Sequence, residues 1–467
     1  MKRWLAIIII LIAMGALGGY FAFSKNPKPV PVDLTVLFTA DTRGRLVPCG
    51  CFTGQYGGLT RLKTVLDNEP VPNGIRVDVG NAIRGKEDYN LIEYKYMLKA
   101  YASMNYDVVN LGEREAQLSL AQLQLLKRES PVSLISANLL DDKSGARICE
   151  PYKIVQRGKY KVALLGVTDS RIQTGNLGPG VAVEKMEVTL EKLLPELKPK
   201  ADVIILLAFT DEETLARLAQ EFYELDVILG GKVSQPSQKL DHENHSLILY
   251  TANEGRALGV LKVRVSGRAK LAGLGHEILL LHDKVPEDES VRALAAQYRN
   301  EVRTTRLAID NPANLQDNMV PGVKAAAEYV GTESCVECHK TAAKAWHDSG
   351  HAEAMTALIS NHADADPNCI QCHTVGFGSP SGYRREFAAK KMANVGCESC
   401  HGPGGLHVAQ RQQKLAITFK FRPLAAGDCQ KCHYGEFSRP FDWNHFWPQV
   451  EHGKEPLRTA GLKKESP

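Results

Sequence analysis

The sequence has little net charge and lacks low-complexity runs. Its 57 lysines and arginines exceed its 53 aspartates and glutamates by only four in a chain of 467 residues. Such a small excess argues against a nucleic-acid partner. A chain of this length without biased segments is expected to be globular, with two or three folding units.

The first 23 residues differ from the rest. Lys2 and Arg3 precede twenty residues without a charge, Trp4–Phe23, which is about the length that crosses a bilayer core. The basic pair is expected to stay cytoplasmic, so that the remaining chain faces outward from the inner membrane. A cleaved secretory signal is the alternative, but the apolar run continues past the small residues Ala16 and Gly18. We therefore expect an uncleaved anchor at residues 4–23 and a periplasmic protein.

Cysteine is scarce before residue 330 and dense after it. Eight of the eleven cysteines form four C-x-x-C-H patterns. These are motif 1 (Cys335, Cys338, His339), motif 2 (Cys369, Cys372, His373), motif 3 (Cys397, Cys400, His401) and motif 4 (Cys429, Cys432, His433). In haem c attachment, two thiols bond the porphyrin and the following imidazole binds the iron. Zinc sites do not require a histidine after every second cysteine, so the spacing predicts four covalently bound haem c groups.

The segment from Gly331 onward lacks sustained helix or strand periodicity. We expect the porphyrins to form its core, with haem edges close enough for electron relay. Six further histidines can supply distal ligands: His347, His351, His362, His407, His445 and His452. Only two methionines, Met355 and Met392, follow position 330, which makes His/Met ligation the less favoured alternative.

Parts of this segment resemble the tetrahaem cytochrome c-554 family. The resemblance covers about residues 329–453 and rests on Tyr329–Cys335, Trp346–Ala352, Val395–His407 and Trp447–Gly453. It implies that His351, His407 and His452 are distal ligands, and that the fourth haem is open or weakly ligated. His347, His362 and His445 stay as candidates for that fourth position.

The first two-thirds of the chain alternates short apolar runs with helical patterns between Leu34 and about His282. Runs that are apolar throughout favour strands buried on both faces, and the last runs, which follow one another without helices, predict antiparallel strands. Four segments resemble the 5′-nucleotidase-like metallophosphoesterases: Leu34–Leu46, Gly57–Arg61, Val132–Asn138 and Asp226–Gly231. The resemblance, over roughly 33–283, implies a four-layer αββα sandwich with two metal ions at the strand ends.

Most metal-ligating positions of that family are changed here. Its D-x-H, G-D, G-N-H-E, late histidine and G-H-x-H correspond to Asp41-Thr42-Arg43, Gly80-Asn81, Gly112-Glu113-Arg114-Glu115, Ala208 and Gly231-Lys232-Val233-Ser234. Hydrolysis by two metal ions requires both cations to be held close together. The sequence therefore predicts a domain that does not hydrolyse phosphoesters.

Three of the replacements are cationic: Arg43, Arg114 and Lys232. They can form an anion site in place of the metal ions, or they can pair with Asp41, Glu113 and Glu115 in a decayed site, which we favour. Cys49 and Cys51 can bind a soft metal or react as thiols, and a disulfide with Cys149 is the alternative.

The expected organisation is an anchor and proline-rich spacer (1–32), a degenerate phosphoesterase-like domain (33–285), a helical linker (286–328) and a mainly helical or irregular multihaem domain (329–467). The favoured function is electron transfer with redox proteins or quinol-linked donors, the α/β domain serving for docking or anion binding. A haem oxidoreductase acting on a small substrate, and a bifunctional hydrolase, are the alternatives.

Overall fold

The computed structural model describes residues 31–48, 56–68, 71, 74–172, 174–251, 254–268, 270–315, 328–386, 390–416, 421–434 and 441–453. The expected anchor at residues 4–23 and the Cys49/Cys51 pair lie outside these ranges, and both stay predictions. Among the described residues, no helix combines the length and the apolar character needed to cross a membrane.

Two-thirds of the chain forms an α/β unit, and the last third is helical. The strands are β1 Val32–Thr39, β2 Ile75–Asp78, β3 Val108–Asn110, β4 Leu134–Ile135, β5 Leu139–Asp141, β6 Tyr152–Arg157, β7 Tyr160–Thr168, β8 Val181–Val183, β9 Val203–Phe209, β10 Val227–Gly230, β11 Asp241–Glu243, β12 Ser246–Tyr250, β13 Ala257–Gly267 and β14 Lys270–Leu280. The helices of this part are α1 Leu59–Asn68, α2 Asp88–Ser103, α3 Leu120–Glu129, α4 Met186–Leu197, α5 Glu212–Glu221 and α6 Glu289–Thr304.

Two six-stranded sheets organise the α/β unit. The first has the order β14-β13-β1-β2-β3-β4 and the second β11-β12-β10-β9-β7-β6. Strands β1 to β4 pair in parallel, whereas β13 lies antiparallel to both β1 and β14. The antiparallel end predicted for the late apolar runs is present for β13 and β14, whereas β12, the first of those runs, pairs in parallel with β10 in the second sheet.

The two sheets share one apolar core. Val36 and Phe38 from β1 belong to the same buried cluster as Leu164 from β7 and Leu207 from β9. Gly259 on β13 faces the Phe38 ring, where an added Cβ would lie 2.2 Å from a ring carbon. A side chain at this position would displace the ring from the space between the sheets.

Helices cover the outer faces of both sheets. Residues of α1 and α2 form a second cluster with the first sheet, and residues of α4 and α5 form a third with the second sheet. Strand β9 is buried along its whole length, as expected for a strand covered on both faces. The predicted mixed α/β unit followed by a helical region is confirmed.

Helix α6 packs against the helices of the α/β unit. Asp288 caps its N-terminus by accepting a hydrogen bond of 3.0 Å from the Val291 backbone N–H. Its buried residues Val291, Ala295, Tyr298 and Val302 follow helical spacing, and they join the cluster of α1 and α2. The amphipathic stripe of this helix therefore extends the α/β core into the expected helical linker (286–328).

The last third consists of short helices. They are α7 Glu333–Val336, α8 Lys340–His347, α9 Ala354–Ser360, α10 Pro367–His373, α11 Cys397–His401, α12 Gly405–Gln412, α13 Ala426–Cys429 and α14 Trp443–Phe446. Its buried apolar cluster is small, with Met355, Leu358, Ala363, Ile370, Val375, Tyr383 and Met392. This region therefore has far less protein core than the α/β unit.

Candidate haem-binding site

Each C-x-x-C-H motif lies on or beside a single helical turn. In motif 1 the backbone N–H of His339 donates to the carbonyl of Cys335 at 3.1 Å, and in motif 4 His433 donates to Cys429 at 2.8 Å. Motifs 2 and 3 lie within α10 and α11. Residues three and four positions apart share one face of a helix, so each motif can present both thiols and the imidazole to one porphyrin.

Three of the motif histidines face a second imidazole. The ring centres are 6.2 Å apart for His339 and His407, 6.0 Å for His433 and His351, and 5.8 Å for His401 and His452. Two imidazoles on opposite sides of one metal ion, each with a metal–nitrogen bond of about 2 Å, have ring centres about 6 Å apart. The three distal histidines suggested by the resemblance thus lie opposite motifs 1, 4 and 3.

The motif-2 histidine has a different environment. Nδ1 of His373 lies 2.7 Å from the carbonyl oxygen of Ala354. Donation from Nδ1 to a carbonyl fixes the tautomer in which Nε2 is available for a metal. Within the described ranges, no ring contact pairs His373 with another imidazole.

Among the described residues, none of the three remaining histidines makes a ring contact with His373. The His347 side chain is 82% exposed and contacts Asp348 at 3.7 Å. His362 is exposed at the end of α9, and the exposed His445 packs edge-on against Phe446. The three imidazole pairs seen for the other motifs thus have no counterpart at His373 among the described residues.

One buried imidazole nitrogen without a hydrogen-bond partner is consistent with a haem ligand. Nδ1 of His407 is buried and has no hydrogen-bond partner among the described residues. A buried imidazole nitrogen is normally hydrogen-bonded or bound to a metal, and this ring lies at iron-bridging distance from His339. The donor set fits the covalently attached group that the motif spacing predicts.

The motifs are neighbours in two pairs. The Cys335 thiol lies beside that of Cys397, and the Cys372 thiol beside that of Cys432, close enough for the two members of each pair to shift each other's pKa. The buried Glu398 carboxylate, inside motif 3, accepts hydrogen bonds of 2.7 Å from the backbone N–H groups of Gly331 and Gly404. This carboxylate links the approach to motif 1 with the loop after motif 3.

The position of the family's first metal ligands holds an ion-pair network. Oδ1 of Asp41 accepts hydrogen bonds from Nε of Arg43 at 2.8 Å and from Nδ2 of Asn81 at 3.3 Å. Arg43 also pairs with Glu254, whose other oxygen lies 3.0 Å from Nη2 of Arg45. Burial raises the pKa of Asp41, and the charge of Arg43 opposes that effect.

A second network surrounds Lys232. Its ammonium group pairs with Glu113 and lies 3.2 Å from Oδ2 of Asp169. Burial acts to raise the pKa of Asp169, but hydrogen bonds from Arg171 and the charge of Lys232 outweigh it and lower the pKa to about 2. Asp169 and Arg171 were not identified from the sequence, although Asp169 follows the carboxyl end of β7, where α/β sites gather.

The side chains of Arg114 and Glu115 form hydrogen bonds with backbone groups. The Arg114 guanidinium donates to the Arg84 carbonyl at 2.6 Å. The buried Glu115 carboxylate accepts from the N–H groups of Asn81, Gly112 and Ile83 at 3.1, 2.9 and 2.8 Å. The pairing expected for a decayed site is thus found for Arg43 with Asp41 and for Lys232 with Glu113. Glu115 instead accepts hydrogen bonds from backbone N–H groups of the neighbouring loops.

Metal-ligand clusters are absent from the described part of this unit. No three histidine, cysteine, aspartate or glutamate side chains in the described ranges are placed to hold one metal ion. Ala208 is buried within β9, and Cys149 is a buried free thiol whose pKa is raised to about 11 by burial.

Comparisons with known proteins match the two parts of the chain separately. The family described as cytochrome c554 and c-prime matches residues 334–402. Cytochrome c-554 of Nitrosomonas europaea is 40% identical over 95 residues, which are 17% of this chain and 40% of that protein. The C-terminal resemblance is therefore confirmed, and it implies covalently bound haem c.

The N-terminal part matches 5′-nucleotidases. The Homo sapiens enzyme is 24% identical over 339 residues, or 65% of this chain and 56% of the relative. The 5′-nucleotidase precursor of Thermus thermophilus has a similar structure, with a TM-score of 0.51, 21% identity, and coverage of 58% of this chain and 59% of that one. The chain thus spans about half the length of these relatives, and the α/β fold is of their type.

Proposed function

We propose that the chain is a periplasmic electron carrier with four covalently bound haem c groups, three of them with two axial histidines. The observation that carries the proposal is the set of three imidazole pairs, each spaced for one iron. Bound haem supplies reversible one-electron redox chemistry, and two imidazole ligands generally give a lower potential than His/Met ligation. The neighbouring motif pairs support transfer between the groups.

The protein's residues hold and orient these groups. The motif thiols would attach the haems, and the motif histidines with their partner imidazoles would bind the irons. The carbonyl of Ala354 orients the His373 ring. The Glu398 carboxylate holds the chain before motif 1 and the loop after motif 3 by hydrogen bonds. We expect redox proteins or quinol-linked donors as partners, and an inner-membrane anchor at residues 4–23.

The α/β unit is proposed to be a four-layer αββα domain that no longer hydrolyses phosphoesters. The core shared by both sheets and the helices on their outer faces support the layering. The loss of activity is supported by the cations at former ligand positions, since Arg43 and Lys232 neutralise carboxylates that a metal would need. The domain then serves for docking, and an anion site at Arg43, Arg114 and Lys232 is open to test by phosphate titration.

Two measurements on the purified full-length protein test the carrier proposal. Mass spectrometry under denaturing conditions should show four haems attached to the chain. Electron paramagnetic resonance of the oxidised protein should show three low-spin haems and one high-spin haem. Fewer than four haems, or zinc bound at the motifs, would contradict it.

The environment of His373 favours a second candidate, a haem enzyme that acts on a small substrate at the motif-2 iron. Nitric oxide and carbon monoxide should bind at one site per chain if that iron is open. Turnover of a small substrate at this site would make the protein an oxidoreductase, whereas four low-spin irons would leave only electron transfer.

A further inference from the structure

The helix that carries motif 2 begins at the surface of the α/β unit. Helix α10 starts after Asp366, whose carboxylate caps it by accepting a hydrogen bond of 2.9 Å from the Asn368 backbone N–H. The Asp366 carbonyl also accepts from the N–H groups of Cys369 and Ile370 at 2.9 Å. The position of Asp366 thus sets the first turn of the helix that holds Cys369, Cys372 and His373.

The α/β unit holds this starting point from two of its helices. From α6, the buried Tyr298 hydroxyl donates to Oδ2 of Asp366 at 2.9 Å. From α2, the buried Asn90 amide donates to Oδ1 of Asn368 at 3.1 Å. The Asn368 amide returns a bond of 3.3 Å to the Tyr298 hydroxyl, so the four side chains form one network across the boundary.

Further contacts fix the chain just before α10. The Arg303 guanidinium on α6 bonds both carboxylate oxygens of Asp364, at 2.6 and 3.1 Å. Arg299, also on α6, donates to the Asn361 carbonyl at 2.7 Å. A bidentate arginine–carboxylate pair adds geometric specificity as well as energy, so α6 determines both the position and the direction of the entry to α10.

We infer that Tyr298 and Asn90 are positioning residues through which the α/β domain sets the geometry and the reduction potential of the motif-2 haem. The inference rests on the proposed function. It gives the domain a role that does not require phosphoester chemistry, namely that of a fixed platform beside one haem. Asp366 begins the helix that carries the motif-2 ligands, so a change in its position or hydrogen bonding should act first on that haem, whereas motifs 1, 3 and 4 lie in other segments.

The test is a redox titration of the full-length holoprotein in which the high-spin haem is followed separately by electron paramagnetic resonance. Tyr298→Phe removes one hydroxyl and Asn90→Ala removes one amide, each from the α/β side only. Each variant should change the reduction equilibrium constant of the high-spin haem at least threefold, tenfold being 59 mV for one electron. The other three haems, including that of the neighbouring motif 4, should change by a smaller factor than the high-spin haem.

Tyr96→Phe is the matched control. Its hydroxyl also joins α2 to α6, but it donates to Glu301 at 2.8 Å rather than to Asp366 or Asn368, and the Phe variant keeps the ring that packs near Tyr298. This variant should leave all four potentials unchanged. Unchanged potentials in both Tyr298→Phe and Asn90→Ala, or equal changes at all four haems, would overturn the inference. A wild-type protein without a high-spin haem would instead overturn the proposed function, and the inference with it.

Discussion

The α/β unit and the haem region are stabilised by different means. The α/β unit buries apolar side chains between its two sheets and beneath the helices on both outer faces. Among its described residues, the haem region has eight short α-helices and one small cluster of seven buried apolar residues, as expected if haem groups form its core. A polypeptide that cannot bury enough apolar surface needs cross-links or bound groups to fold, so the two regions should respond differently to the same change.

Loss of haem attachment should give the largest effect. In protein produced without haem attachment, we expect residues 329–453 to be cleaved rapidly by a nonspecific protease. The α/β unit, with residues such as Phe38 and Leu207 in its own core, should stay intact. Limited proteolysis followed by mass spectrometry measures both regions in one sample, and equal resistance of the two would break the comparison.

Core truncations should separate the regions next. Leu207→Ala removes a fully buried side chain between the two sheets, so it should lower the free energy of unfolding by about 2–5 kcal/mol. Leu358→Ala removes the same atoms from the small cluster of the haem region. In the holoprotein we expect this second loss to be about half as large, since fewer protein atoms surround the site. Chemical denaturation, followed by haem absorbance and far-ultraviolet circular dichroism, measures both; equal losses would show that the two cores are alike.

Much of this contrast could be predicted from the sequence. Apolar runs such as Val203–Phe209 identify strands buried on both faces, and the C-x-x-C-H spacing identifies the attachment sites without any fold. The platform contacts could not be predicted, because Tyr298 and Asp366 are 68 positions apart and a buried tyrosine in an amphipathic helix looks like core. The same holds for Glu254, which reaches Arg43 from a distant loop.

A buried carboxylate should give the α/β unit its own pH dependence. Asp78 accepts hydrogen bonds from Thr39, Tyr101 and the Gly80 backbone at 2.6, 2.9 and 2.9 Å, but its burial raises its pKa to about 7. The folded state therefore keeps a proton that the unfolded state releases near pH 4. This contribution to stability is complete below about pH 4 and is lost as the pH rises through about 7.

Asp78→Asn should remove that dependence, because an amide does not titrate and the Thr39 and Tyr101 hydroxyls can accept as well as donate. Between pH 4 and pH 7 the free energy of unfolding of the wild type should fall with a slope of up to about 1.4 kcal/mol per pH unit relative to the variant. Denaturation at several pH values, followed by circular dichroism, gives the slopes, and parallel curves would exclude Asp78 as the source.

The smallest expected effect tests whether the former metal site now stabilises the fold. Lys232 bridges Glu113 and the fully buried Asp169, although its own side chain is 40% exposed. Lys232→Met keeps the aliphatic stem and leaves the buried carboxylate with Arg171 as its cation. After allowance for solvent screening, we expect a loss of about 1 kcal/mol. Lys192→Met is the control, since Lys192 pairs with Glu184 at a more exposed position and should cost at most about 0.5 kcal/mol. The prediction would be contradicted by a gain in stability for Lys232→Met or by tight binding of a divalent metal to that variant. Either result would mean that the site can still bind a ligand and that the ion pairs of Lys232 do not replace the lost metals.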